Sequence, residues 1–315
     1  MVLVLLAIAG CQASVGRAAQ VRGRQQLEQA DRFLEQGLLD SALAAFGLAL
    51  EENPKLVDAH VGMGDIYRHR HEYDRAEAAY ERATIVAPQS FDAHYYLALT
   101  RQLMGRLPEA VRVYLRALTI NPNSYDANQN LAGAYLQLGL PAEAVAYATR
   151  ATNLNPSSQG GWSNLATAHK LLGQYDQAVA AYREAIELGE PLEPIVVGLA
   201  DAHIRLGHYE QAVSVLQAHL RIQESTMAHE RLAFAFFKMR QFAKAMASYR
   251  DVLAMDQNDT AALNGLGACL MTMYIQSDRR DKTPHDEALQ AWRTSLRLRP
   301  NQSRIIELIS RYERL

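Results

Sequence analysis

Alanine returns along this chain at a fixed step. Ala42, Ala76, Ala110 and Ala144 stand 34 residues apart, and the series continues through Ala178, Ala212, Ala245 and Ala288 at steps of 34, 34, 33 and 43. Four residues after each alanine comes Phe46, Tyr80, Tyr114, Ala148, Tyr182, Leu216, Tyr249 or Trp292. Prolines keep the same step of 34 at Pro54, Pro88, Pro122 and Pro156. A period of this length marks a stacked array, in which each unit buries its apolar face against its neighbours and not around one closed core.

Each period reads as two helices. Tyr73, Ala76, Ala79, Tyr80 and Ala83 recur at three- and four-residue spacing, and Ala, Leu, Glu, Gln and Arg dominate throughout. No β-branched run alternates with period two. Gly105, Gly139, Gly173 and Gly207, again 34 apart, read as the turns between paired helices, because glycine takes the left-handed conformation that ends a helix. Pro108 and Pro141 follow two of these turns, where the first turn of a new helix needs no N–H.

These residues resemble the tetratricopeptide repeat, with its pattern W-x2-L-G-x2-Y, then A-x3-F, A and P. Repeat five carries it as Trp162, Leu165, Ala166, His169, Ala178, Tyr182 and Ala185. Repeat two carries it as Met63, Gly64, Tyr67, Ala76, Tyr80, Ala83 and Pro88. Eight repeats fall at about 23–56, 57–90, 91–124, 125–158, 159–192, 193–225, 226–259 and 260–302. Repeat three departs with Arg101 where the pattern has an aromatic, and repeats six and seven carry Glu224 and Gln257 in place of the terminal proline. The resemblance implies an all-α, right-handed solenoid of about eight helix-turn-helix repeats. Residues 303–315 read as a capping helix with Ile305, Ile306, Leu308, Ile309 and Tyr312 on its apolar side.

In the family, the second, fifth, sixth and ninth positions of each first helix face the concave side. Those positions give Asp58, Asp65, Asp92, Tyr95, Tyr96, Asp126, Gln129, Asn130, Ser163, Asn164 and Asp201 as peptide-binding candidates. The implied partner is an extended, polar or basic protein segment: amides pair with its backbone, and carboxylates attract Lys or Arg. The subclass that clamps a C-terminal carboxylate uses Lys, Asn and Arg at sites that are here Val61, Asp65, Tyr96 and Asp126, which disfavours that ligand. Nucleic acid is disfavoured as well, since 32 Lys and Arg face 34 Asp and Glu for a formal net charge of −2.

Two segments break the period. Residues 1–10 are apolar and suit the core of a signal peptide, and Ile8-Ala9-Gly10-Cys11 resembles the lipobox of bacterial lipoproteins. That resemblance implies cleavage before Cys11, lipid on its thiol, a tether over 11–22 and anchorage in the cell envelope. Gln12 after the cysteine favours the outer membrane, facing the periplasm. No Lys or Arg precedes the apolar run, which a start codon placed too far downstream would explain. The last repeat is nine residues longer than the others, with a charged stretch at 277–282 after an extended first helix; Thr283-Pro284 then reads as N-cap and N1 of the next helix.

Catalytic signatures are lacking. No HExxH, GxSxG, Walker or GxGxxG pattern occurs, and the two cysteines, Cys11 and Cys269, form no CxxC pair. His169 and His203 stand where the repeat has Tyr and read as packed rings, and Cys269 reads as a small buried hydrophobe. The reading is a non-catalytic, lipid-anchored scaffold that needs no cofactor, metal or small-molecule substrate. Two alternatives stay open: a cytosolic adaptor with a mis-assigned leader, and the recognition subunit of a glycosyltransferase-like complex whose catalytic domain lies on another chain.

Overall fold

The computed structural model describes the backbone of residues 2–313 and the side chains of residues 18–313. The thiol of Cys11 lies outside the described residues. Those residues form seventeen helices and no strand, arranged in two compact units, Met1–Asn155 and Pro156–Leu315.

Unit 1 holds four helix pairs. They are α1 (Val2–Glu35) with α2 (Leu39–Glu52), and α3 (Val57–His69) with α4 (Tyr73–Val86). Then come α5 (Phe91–Leu103) with α6 (Leu107–Ile120), and α7 (Tyr125–Gln137) with α8 (Pro141–Leu154). The segment read as a tether, 11–22, is part of α1. Unit 2 repeats the scheme with α9 (Gln159–Leu171) and α10 (Tyr175–Glu187), and α11 (Glu193–Leu206) and α12 (Tyr209–Leu220). It continues with α13 (Thr226–Lys238) and α14 (Phe242–Met255), and α15 (Thr260–Gln276) and α16 (Thr283–Leu298), and ends in α17 (Ser303–Tyr312).

The turn inside each pair needs a left-handed residue. Gly105, Gly139, Gly173 and Gly207 supply it with φ near 75°, and so does Gly37 in the first pair. His71 and Arg240 hold the same place in repeats two and seven at φ 59°, a conformation that costs a residue with a Cβ about 1–2 kcal/mol. Several first helices start on a side-chain cap: Ser90, Ser124, Ser225 and Asp259 each accept the N–H three residues on.

Packing follows the period. The alanines at the 34-residue positions are fully buried, and the rings of Phe46, Tyr80, Tyr114, Tyr182, Tyr249 and Trp292 are buried beside them. Phe46, Tyr182 and Tyr249 lie on Gly62, Gly198 and Gly265, the sixth residue of the next first helix. A Cβ at any of these glycines would sit within 3 Å of the ring, so only glycine lets the helices approach this closely. In repeat three, Arg101 replaces the pattern's aromatic with charge: it donates to Glu77 at 2.7 Å and to Glu81 at 2.5 Å, and Arg106 also reaches Glu77.

A second periodic contact joins each proline loop to the helix that follows it. The carbonyls of Pro54, Pro88, Pro122 and Pro156 bond to His60, His94, Asn128 and Trp162, each six residues on, at 2.8–3.2 Å. His60 and His94 act through Nε2, which must carry the proton to donate to a carbonyl. Where the proline is absent, the latch changes. Glu190, one period after Pro156, has its carbonyl bonded by Gln159, and Glu224 bonds His229 through its side chain.

The long repeat behaves as its sequence indicates up to the helix start. α15 runs 17 residues, and Asp281 accepts the N–H of Thr283, which is already helical, so the cap comes from Asp281 and not from Thr283. Hydrogen bonding to Thr283 holds the Asp281 carboxyl below its usual range. In α17, Ile305 is buried and Leu308, Ile309 and Tyr312 pack on the unit 2 core, but Ile306 is 48% exposed. One residue turns a helix by about 100°, which carries Ile306 off the face that Ile305 and Ile309 share. His285 Nε2 meets the Tyr312 carbonyl at 2.9 Å and ties the last turn of α17 to α16.

The loop latch gives a stability prediction. Trp162→Phe keeps the ring but loses the bond to Pro156, and should lower stability by about 1–2 kcal/mol. His94→Leu should cost less, because Arg116 still donates to the Pro88 carbonyl at 3.2 Å. Urea titrations followed by circular dichroism would rank the two variants.

Candidate functional site

The first helices of each unit present polar and aromatic side chains on one face. In unit 1, Asp58, Asp92 and Asp126 lie in the first turns of α3, α5 and α7, where a carboxylate also complements the helix dipole. All three are exposed, and none forms an ion pair among the described residues. Between them stands an aromatic cluster. Tyr95 and Tyr96 contact each other with centroids 5.1 Å apart, Phe91 stacks on Tyr95 at 5.7 Å, and Tyr80 stacks on Tyr96 at 5.8 Å.

Two predicted residues are tied into this cluster. Asp65 accepts from the Tyr80 hydroxyl at 2.7 Å and from Arg68 at 3.1 Å, while the Arg68 guanidinium lies 5.3 Å from the Tyr96 ring centre. Asn130 donates to the Tyr95 hydroxyl at 3.0 Å, so one amide proton is already committed. Asp65 and Asn130 therefore hold the aromatic wall in place, and Asp58, Asp92 and Asp126 provide the open charge. Gln129 is half-buried on the same helix as Asn130.

The field here is negative. Burial first, then Asp126 and Tyr96, push the Tyr95 phenol up to about 12. Burial and the carboxylates of Asp65 and Asp92 raise Tyr96 as well. Asp31, on α1, is raised by burial and by Asp58, Glu35 and Glu28. It occupies the ninth position of the first repeat, as Asp65 does in the second.

In unit 2, Ser163 and Asn164 are half-buried on α9, and Asp201 on α11 is bound by Arg231 at 2.7 Å. Asp201 opens onto a cleft of about 470 Å³ between α9, α11, α13 and α15. Its walls include Glu230, Arg231 and Phe234 of α13, the fifth, sixth and ninth residues of that helix. The rule that yields Asp201 yields these three when carried one repeat further. Lys170, Arg205 and Tyr175 also line the cleft, and Arg205 donates to the Tyr175 hydroxyl at 3.0 Å.

No three His, Cys, Asp or Glu side chains cluster among the described residues to hold a metal ion. His203 is buried with its pKa lowered by desolvation, and by Arg183 and His208. Cys269 is fully buried, and that burial pushes its thiol up to about 12, far from the range of a reactive thiolate. No helix of the described residues is long and apolar enough to cross a membrane.

Stacked helix pairs with small residues at the seams and one polar, aromatic face define a helical-repeat scaffold for protein–protein interaction. Tetratricopeptide repeat profiles match residues 27–85, 62–125, 101–168, 161–189 and 196–226, and the chain belongs to the tetratricopeptide repeat family. The fold resembles that of the pilF protein of Pseudomonas aeruginosa at 19% identity and a TM-score of 0.57, over 68% of this chain and 97% of that one. A tetratricopeptide repeat protein of Parabacteroides merdae gives a TM-score of 0.55 at 17% identity, over 79% and 99% of the two chains. YrrB gives 0.51 at 16% identity, over 62% and 97%. At these identities the likeness is one of fold. No curated protein matches the sequence.

One group in the unit 2 cleft sets a pH dependence. Burial, then the neighbouring Asp259, raises the Glu230 carboxyl, and Arg231 opposes the shift. A carboxyl raised on folding binds its proton more tightly in the folded state, so its contribution to stability falls as pH rises past the ordinary carboxylate range. Glu230→Gln should raise the urea midpoint more at pH 7 than at pH 4, because the wild-type carboxyl holds its proton more fully at the lower pH. An equal gain at both pH values would assign the effect to packing.

Proposed function

We propose that the protein is a non-catalytic scaffold whose unit 1 holds an extended, basic segment of a partner protein across α3, α5 and α7. The observation that carries this reading is the set of exposed carboxylates Asp58, Asp92 and Asp126 beside the wall of Tyr95 and Tyr96. Carboxylates at a rim draw cationic ligands and set salt dependence, while the half-buried tyrosines beside them offer apolar contact to a ligand's side-chain stems. YrrB, which shares the fold, is described with an unusual peptide-binding site. In the full chain, a fluorescein-labelled Lys-Arg-rich peptide with an amidated C-terminus should bind saturably and weaken with salt. Asp92→Asn/Asp126→Asn should reduce its affinity about tenfold and flatten the salt dependence, as expected when two ion pairs are lost. Unchanged binding in that variant would rule out this face.

The second part of the proposal is anchorage in a bacterial envelope through lipid on Cys11, facing the periplasm from the outer membrane. It rests on the apolar residues 1–10 and the Ile8-Ala9-Gly10-Cys11 motif. A single diacyl-modified cysteine would hold the scaffold at the membrane surface without a spanning helix. Detergent-phase partitioning should retain the wild type and release Cys11→Ser to the aqueous phase. Aqueous partitioning of both would favour the adaptor reading without an anchor.

A further inference from the structure

The cleft of unit 2 differs in charge from the face of unit 1. At one end, Arg231 binds Asp201 at 2.7 Å and lies 3.4 Å from Glu230, so one guanidinium there faces two carboxylates. At the other end, Lys170 and Arg205 line the cleft and form no ion pair among the described residues. Arg205 bonds the Tyr175 hydroxyl and lies over its ring, at 5.6 Å from the ring centre. Phe234, 39% exposed, forms an apolar wall, and Lys238 stands over its ring at 5.3 Å, also without an ion pair among the described residues. Ile204 completes the apolar floor.

Lys170, Arg205 and Lys238, which form no direct ion pair among the described residues, thus stand around an open aromatic surface, with Asp201 the carboxylate that acts on Arg205. A basic segment, as proposed for unit 1, would meet repulsion here, and a purely apolar one would leave the cations uncompensated. We propose that this cleft is a second, separate binding site, for an extended protein segment in which an aromatic or branched aliphatic side chain is flanked by Asp or Glu. The apolar side chain packs on Phe234 and Ile204, and the flanking carboxylates pair with Lys170 and Arg205. About 470 Å³ accommodates one large side chain and its neighbours. The inference shares with the proposed function the premise that first-helix faces hold protein segments, but it uses none of the unit 1 residues.

Fluorescence anisotropy on the full chain tests it with three labelled peptides in a Gly-Ser frame, each amidated at the C-terminus, with cores Glu-Phe-Glu, Lys-Phe-Lys and Glu-Ala-Glu. At low salt the wild type should bind Glu-Phe-Glu about tenfold more tightly than Glu-Ala-Glu, the scale of one well-buried aromatic anchor. Lys170→Glu/Arg205→Glu should abolish binding of Glu-Phe-Glu, and Asp92→Asn/Asp126→Asn should leave it unchanged. Phe234→Ala, at a partly exposed position, should bring Glu-Phe-Glu down to the level of Glu-Ala-Glu. Equal binding of Glu-Phe-Glu and Glu-Ala-Glu, or an unaltered affinity in the charge-reversed variant, would overturn the proposal. If the Lys-Arg-rich peptide binds unit 1 while Glu-Phe-Glu fails, only this second site is lost. If both fail, the shared premise goes with it.

Discussion

Each seam described here depends on a large side chain of a second helix lying against the first helix of the next repeat. Phe46, Tyr182 and Tyr249 can do so because Gly62, Gly198 and Gly265 leave no Cβ beneath the ring. Burying such rings is worth several kcal/mol apiece against leaving them in water, and no single helix pair could gain it alone. The fully buried alanines on either side set the approach distance, and the ring fills what remains.

The same geometry determines what is left for binding. Once second-helix rings occupy the seams, the remaining face of each first helix carries side chains at positions two, five, six and nine. Some of these are drawn into the structure themselves. Tyr96 receives the ring of Tyr80, Asp65 anchors that ring's hydroxyl, and Asn130 anchors Tyr95. Structural and recognition roles are therefore divided within one face, with the first-turn aspartates left to solvent. The two units differ in local charge: unit 1 fills this register with carboxylates, whereas unit 2 sets Arg231 beside Asp201 and Glu230 and adds Lys170 and Arg205 outside the register.

Much of the fold was legible because repetition makes each position visible several times. The paired helices, the glycine turns at 105, 139, 173 and 207 and the buried alanines all follow from the 34-residue step. Gly37 escaped because the series breaks at His71, whose side chain gives no hint of a left-handed backbone. The loop latch escaped for a different reason: His60, His94, Asn128 and Trp162 share an N–H donor and little else, so residue type hides the common function. Ile306 was misplaced because a short helix with consecutive isoleucines can keep only one of them on its inner face. In the candidate site, position was readable and engagement was not. Tyr80 for Asp65, Tyr95 for Asn130 and Arg231 for Asp201 come from other helices, 15, 35 and 30 residues away.

The latch also bears on how such a chain can change over generations. Its acceptor ends one repeat and its donor begins the next: Pro122 closes the third and Asn128 belongs to the fourth. A gene duplication cut at the repeat boundary separates the two halves, and each half must find its counterpart in a new neighbour. Because Pro54, Pro88, Pro122 and Pro156 are each followed by a donor at the same offset, this contact would survive an exchange of halves among repeats one to five. After repeat five the pattern changes, since Val196 and Leu263 stand at the donor position of repeats six and eight, and His229 in repeat seven meets the Glu224 side chain and not a proline carbonyl. A whole repeat added or removed among the first five would thus keep this contact, whereas one among the last three would meet an unlike neighbour.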